Sequence, residues 1–157
     1  MDKETFSRLV LAQQRQMYRI AVSYTASSAD AEDAMQEALL RAWNRRDTLR
    51  EPAYFSTWLN RILINECKTI LRRRRRERTL PAAPLINFSP PDEQSLALQQ
   101  ALFSLPEKYR LPLVLNLLEG YTLKEISALL SLPLGTVKTR VARAKRKLEQ
   151  EVSDHAP

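Results

Sequence analysis

Arg61, Asn65, Lys68 and Arg72 recur every three or four residues, and Thr69 lies at the polar edge of the same row. On a helix this spacing makes one stripe. Its chemistry is recognition: guanidinium and ammonium groups hold phosphates, and the amide of Asn65 can read a base edge. Tyr54, Phe55 and Trp58, near the start of the row, carry rings that could stack on unpaired bases. Phe55 and Trp58 suit a core equally well, so Tyr54, beside a loop, is the better stacking candidate. A second basic set lies nearer the C-terminus. There Val137, Val141, Ala144 and Leu148 form an apolar stripe, Gly135, Thr139, Ala142, Arg143 and Arg146 face outward, and Thr136, Lys138 and Arg140 occupy the flanks. A third set, Asp33, Gln36, Glu37 and Leu40, lies opposite the apolar stripe of its own helix. Two uses fit it: a docking surface for a basic or mixed protein face, or a solvated helix face.

Bond-making chemistry finds little support. The chain has one cysteine, Cys67, and one histidine, His155 in a polar tail, which removes Cys/His zinc clusters and His-based catalysis. No cofactor and no metal are expected. A recombinase or nuclease would need clustered carboxylates or a positioned Ser/Tyr nucleophile. The acidic residues of the 30–43 helix are close together but point outward, with no pocket-forming neighbour evident in the sequence. We therefore expect a protein that is not an enzyme. The formal net charge of +7 favours a polyanionic partner, either nucleic acid or an acidic membrane surface. With a lone cysteine and no leader-like or membrane-spanning apolar run, the expectation is a cytoplasmic protein without membrane insertion.

The elements that must position these residues are helices. Two glycines against nine prolines leave few turn signals for sheets, and the abundance of Leu, Ala, Arg, Glu and Gln suits an all-α fold. Phe6, Leu9, Val10, Met17, Ile20, Ala21 and Tyr24 predict a helix over 5–25. Ala31, Ala34, Met35, Ala38, Leu39, Ala42 and Trp43 predict another, with Ser28 or Asp30 as its N-cap. RRDTLREPAYFS breaks the period, and a long helix resumes near Tyr54 and ends in the arginine run Arg72 to Arg76. Pro81, Pro84, Pro90 and Pro91 mark a linker. The expected organisation is two small helical domains, 1–77 and 93–150, joined by a Pro-rich linker at 78–92 and followed by a tail at 151–157.

The second domain opens with a helix carrying Leu98, Ala101, Leu102 and Leu105 on one face. A helix over PEKYRLPLVLNLLE follows, in which Pro112 predicts a kink or a later start. Gly120 follows LLE where a helix stop wants a left-handed residue. Thr122 and Glu125 then form a capping box, SLP ends that helix after about two turns, and the Val137–Leu148 stripe begins. This is a helix-turn-helix with a basic outer face. Gly135, in the first turn of the second helix, lets the backbone approach something closely, such as a DNA phosphate. The alternative is a solvated basic face on a packing helix.

DAEDAMQEALLRAW, FSTWLNRILINECKTILRRRRR and LPEKYRLPLVLNLLEGYTLKEISALLSLPLGTVKTRVARAKRKL, in this order, resemble the extracytoplasmic-function (ECF) sigma factors of bacterial RNA polymerase. The resemblance implies that Asp33, Gln36, Glu37 and Leu40 dock on the clamp helices of the largest polymerase subunit. It implies that the loop 47–55 and the start of the next helix capture a flipped base of the minus-ten element, with Asn65 at a base-contacting position. Lys138, Thr139, Arg140, Ala142 and Arg143 would enter the minus-thirty-five major groove. Ala142 stands where some relatives carry a larger side chain, and REPAYFS differs from the glycine-containing loop common in the family. The implied function is a sigma factor that binds polymerase core and directs promoter-specific initiation, with promoter DNA and an anti-sigma factor as further partners. The rival is a stand-alone helix-turn-helix repressor or activator, which predicts a dimer, a palindromic operator and tight binding without polymerase.

Overall fold

Apolar residues at helical spacing find their partners within two separate clusters. A computed structural model describes residues 1–77 and 93–154. The chain forms two compact units, Met1–Ala82 and Ala83–Pro157. Among the described residues there are helices and short helical turns and no strand, as the composition predicts. The linker expected at 78–92 and the last tail residues, His155 included, lie outside the described residues.

The first unit packs three helices, α1 (Lys3–Thr25), α2 (Ser28–Asn44) and α3 (Phe55–Glu77), each against the other two. Its core collects Phe6, Met17, Ile20 and Ala21 from α1, Ala31, Ala34, Ala38 and Ala42 from α2, and Phe55, Leu59, Leu63 and Ile64 from α3. Each fully buried large apolar side chain contributes about 2 kcal/mol, and the four alanines let α2 approach its neighbours closely. The cap of α2 is Ser27, whose hydroxyl accepts from the Asp30 amide at 3.3 Å, and neither Ser28 nor Asp30 fills that position. Asp30 is instead buried. Between α2 and α3 the break predicted around Pro52 holds two single turns, Arg46–Thr48 and Pro52–Tyr54. Phe6 meets the rings of Trp43 and Phe55 edge-on, at 5.2 and 5.9 Å, and Arg46 covers Trp43 at 3.8 Å, so the start of the loop is tied to the core.

The second unit contains α4 (Glu93–Ser104), α5 (Glu107–Leu117), α6 (Leu123–Leu130) and α7 (Leu134–Asp154). Leu102, Leu105, Leu113, Val114 and Ala144 form one core cluster, with Tyr109 and Leu148 packed against it. Leu98 differs from expectation: it is 41% exposed, while Gln99 beside it is buried. Pro112 lies inside α5, which starts before it at Glu107 rather than after it. Pro112 is buried within the helix, as are Leu111, Leu113 and Val114.

Candidate nucleic-acid interface

Gly120 adopts φ +76, and α6 then opens on the predicted capping box: Thr122 Oγ1 accepts from the Glu125 amide at 3.1 Å, and Glu125 Oε1 accepts from the Thr122 amide at 3.0 Å. Ile126, Leu129 and Leu130 fix α6 to the core, and Val137, Val141 and Ala144 fix α7. With that face committed inward, Gly135, Lys138, Thr139, Ala142, Arg143 and Arg146 are exposed, and Thr136 and Arg140 are half-buried. The Thr139 hydroxyl donates to the Gly135 carbonyl at 2.9 Å. A Cβ built on Gly135 would meet nothing within 4 Å, so no neighbour within the unit requires glycine there. A shallow cleft of about 370 Å³ runs from Gly135 and Thr139 to Arg140 and Arg143, and Lys108 and Tyr109 of α5 form its other wall. Sequence periodicity could not find those two, because it orders residues within a helix and not between helices.

In the first unit Arg61, Asn65, Thr69 and Arg72 are exposed along α3, and Lys68 is half-buried. The Thr69 hydroxyl donates to the Asn65 carbonyl at 3.1 Å, which occupies its proton within the helix. Tyr54 stands 66% exposed at the end of its turn. Phe55 is buried and Trp58 half-buried, leaving Tyr54 as the ring presented to solvent.

The arginine run divides. Arg74 turns inward, its Nη2 donating to Asp30 Oδ1 at 2.6 Å with Nε facing Oδ2. A second pair, Arg41 with the largely buried Glu66, links the same two helices. Asp33, Gln36 and Glu37 are exposed on α2, and Leu40 is 60% exposed beside them. These three polar residues do have pocket-forming neighbours: with Thr69, Ile70 and Arg73 of α3 they line a groove of about 470 Å³. Periodicity within α2 does not reveal it, because α3 supplies the second wall.

Burial pushes the Cys67 thiol up to about 12, with the Glu66 and Asp30 carboxylates adding to the effect, so it is no nucleophile at neutral pH. Among the described residues no group of three or more His, Cys, Asp or Glu could hold a metal ion, and no helix is long and apolar enough to cross a membrane.

Each of the two units, the second ending in a helix-turn-helix, matches a known family. Residues 9–77 match Sigma-70 region 2, and residues 95–148 match Sigma-70 region 4. The chain is 36% identical over 153 residues to the ECF RNA polymerase sigma factor SigM of Mycobacterium tuberculosis (strain H37Rv), covering 94% of this chain and 76% of that one. It is 32% identical to the ECF sigma-E factor of Escherichia coli (strain K12), covering 96% and 88%, and 31% identical to SigW of Bacillus subtilis (strain 168), covering 98% and 91%. The fold is shared with the sigma factor RpoE from Bartonella quintana, solved with the anti-sigma factor NepR, at a TM-score of 0.83 and 24% identity over 98% of this chain and 99% of that one. It is also shared with CnrH, solved with the cytosolic domain of CnrY, at 0.72 and 24% over 99% and 92%. The two regions define a sigma-70-type protein built from a region 2 and a region 4. More narrowly, the chain belongs to the ECF RNA polymerase sigma factors. It binds RNA polymerase core and directs promoter-specific initiation of transcription.

Proposed function

We propose that the work divides between the two units at the residues named above. The domain at 1–77 docks on the clamp helices of the polymerase largest subunit through Asp33, Gln36, Glu37 and Leu40. The same domain takes the minus-ten element with Tyr54, Arg61, Asn65, Lys68, Thr69 and Arg72. The domain at 93–150 lays α7 in the minus-thirty-five major groove, with Gly135 and Thr136 near a phosphate and Lys138, Thr139, Arg140, Ala142, Arg143 and Arg146 along the groove face. Residues 78–92 tether the two.

The mechanism moves no covalent bond. Each domain alone binds DNA weakly; carried together on polymerase, the second contact becomes effectively intramolecular, and two short elements are read at one spacing. Melting costs a few kcal/mol per unstacked base, offset by capture of the flipped base and by phosphate contacts along α3. The protein has no catalytic role of its own and acts in the cytoplasm with polymerase. An anti-sigma factor restrains it, a reading supported by the solved complex of the similarly folded RpoE with NepR.

The observation that carries the assignment is the contrast between faces: α2 exposes three carboxylates, Glu32, Asp33 and Glu37, beside Leu40, whereas α3 exposes Arg61 and Arg72 and α7 exposes Lys138, Arg143 and Arg146. Asp33→Lys with Glu37→Lys tests it. Both side chains are exposed, so the fold survives, and the doubly substituted chain is expected to lose co-purification with polymerase core. Retained association would remove the docking assignment.

A further inference from the structure

Three cations from two helices gather around one phenol in the second unit. Lys108 Nζ lies 5.1 Å from the centroid of the Tyr109 ring, and Lys147 Nζ lies 5.5 Å from it. The Arg143 guanidinium stands at the Tyr109 hydroxyl; its hydrogen bond, with the charges of Lys108 and Lys147, lowers the phenol's pKa. Tyr109 is itself packed against the Leu102–Leu105–Leu113–Val114–Ala144 core, so the ring is a fixed post and the cations are held by it. The carboxylate next in the chain, Glu107, acts on the buried Arg110. Like charges held this close repel one another, and a shared anion relieves the repulsion. The cleft that Lys108 and Arg143 edge reaches Gly135, where no side chain obstructs an approaching backbone.

We propose that Lys108, seated on Tyr109 and acting with Lys147 and Arg143, is a DNA-backbone contact: a duplex phosphate bridges these cations and extends the footprint from α7 onto α5. The contact carries no sequence information and instead fixes how deeply and at what angle α7 sits in the groove. It rests on the reading that α7 enters promoter DNA.

The test uses holoenzyme reconstituted from polymerase core and the full chain, on a duplex promoter fragment chosen by mapping its start sites. Lys108 is exposed, and Lys108→Gln leaves the core untouched. The variant is expected to bind more weakly by the same factor across substituted minus-thirty-five sequences. Its log affinity should also fall less steeply with log salt, by about 0.9 in slope, or about 3.5-fold less loss between roughly 50 and 200 mM. Lys108→Arg should restore the slope. If Lys108→Gln changes neither affinity nor slope while Arg143→Ala weakens binding, the α5 contact is wrong and the α7 reading stands. If Arg143→Ala also has no effect, both fall. A Lys108→Gln loss confined to particular sequences would overturn the backbone assignment.

Discussion

Arg74→Ala should destabilise the first unit severely, and Arg72→Ala, two residues earlier in the same run, should not. The Arg74 side chain is 24% exposed and that of its partner Asp30 is 7% exposed, so the substitution leaves a carboxylate buried with its countercharge gone. Removing one member of a fully buried pair costs about 3–5 kcal/mol; because Arg74 keeps some access to solvent, we expect about 2–3 kcal/mol here. Exposed Arg72 and Arg76 should fall within about 0.5 kcal/mol of the unsubstituted chain. Both tryptophans, Trp43 and Trp58, belong to this unit, so urea unfolding followed by tryptophan fluorescence reports on it alone. With an m-value of about 1 kcal/mol/M, the midpoint should move down by about 2–3 M for Arg74→Ala. Adding Asp30→Ala should recover much of the loss, because no charge is then stranded. If Arg74→Ala proves as mild as Arg72→Ala, the ion pair does not hold α2 to α3, and Arg74 returns to the set of cations free to meet DNA.

Gly120→Ala should cost about 1 kcal/mol: the φ of +76 strains any Cβ, but the space around it is open, so no clash adds to the strain. Thermal unfolding by circular dichroism checks this, and a loss several times larger would point to a contact the geometry lacks. Cys67 should resist thiol reagents at pH 8 until urea unfolds the chain, because its thiol is raised from 9.0 to about 12. The sign follows: the protonated thiol is favoured by the fold, so its contribution to stability is complete below about pH 9 and is lost as pH rises toward 12. Rapid labelling of the folded chain would contradict the burial.

Legibility in the sequence followed the range of the interactions. Local signals were readable: the alanine stripe of α2, the left-handed stop at Gly120 and the Thr122–Glu125 box each depend on residues within a turn or two. Interactions between helices were not. Nothing in five consecutive arginines marks Arg74 as the one that faces Asp30, and an aspartate at a helix start looks like a cap when it is in fact a buried ion-pair partner. Two further helix stops use left-handed Ala26 and Ser131, where the missing glycine hid the conformation, although SLP still marked the second. The groove beside Asp33 and Glu37 and the Lys108–Tyr109 wall beside α7 were invisible for the same reason, since each is half-built by a different helix. The outward positions on α7 were accessible to periodicity because Val137, Val141 and Ala144 fix which face is left over.

On the proposed division of labour, the two units select a start site while polymerase carries both. Adding the purified chain to sigma-free polymerase core and mapping transcript ends on genomic DNA tests it most directly. We predict discrete start sites that appear with the chain and vanish without it, while the chain by itself binds the same fragments weakly. Tight binding by the isolated chain, with no start site conferred on the core, would contradict the account.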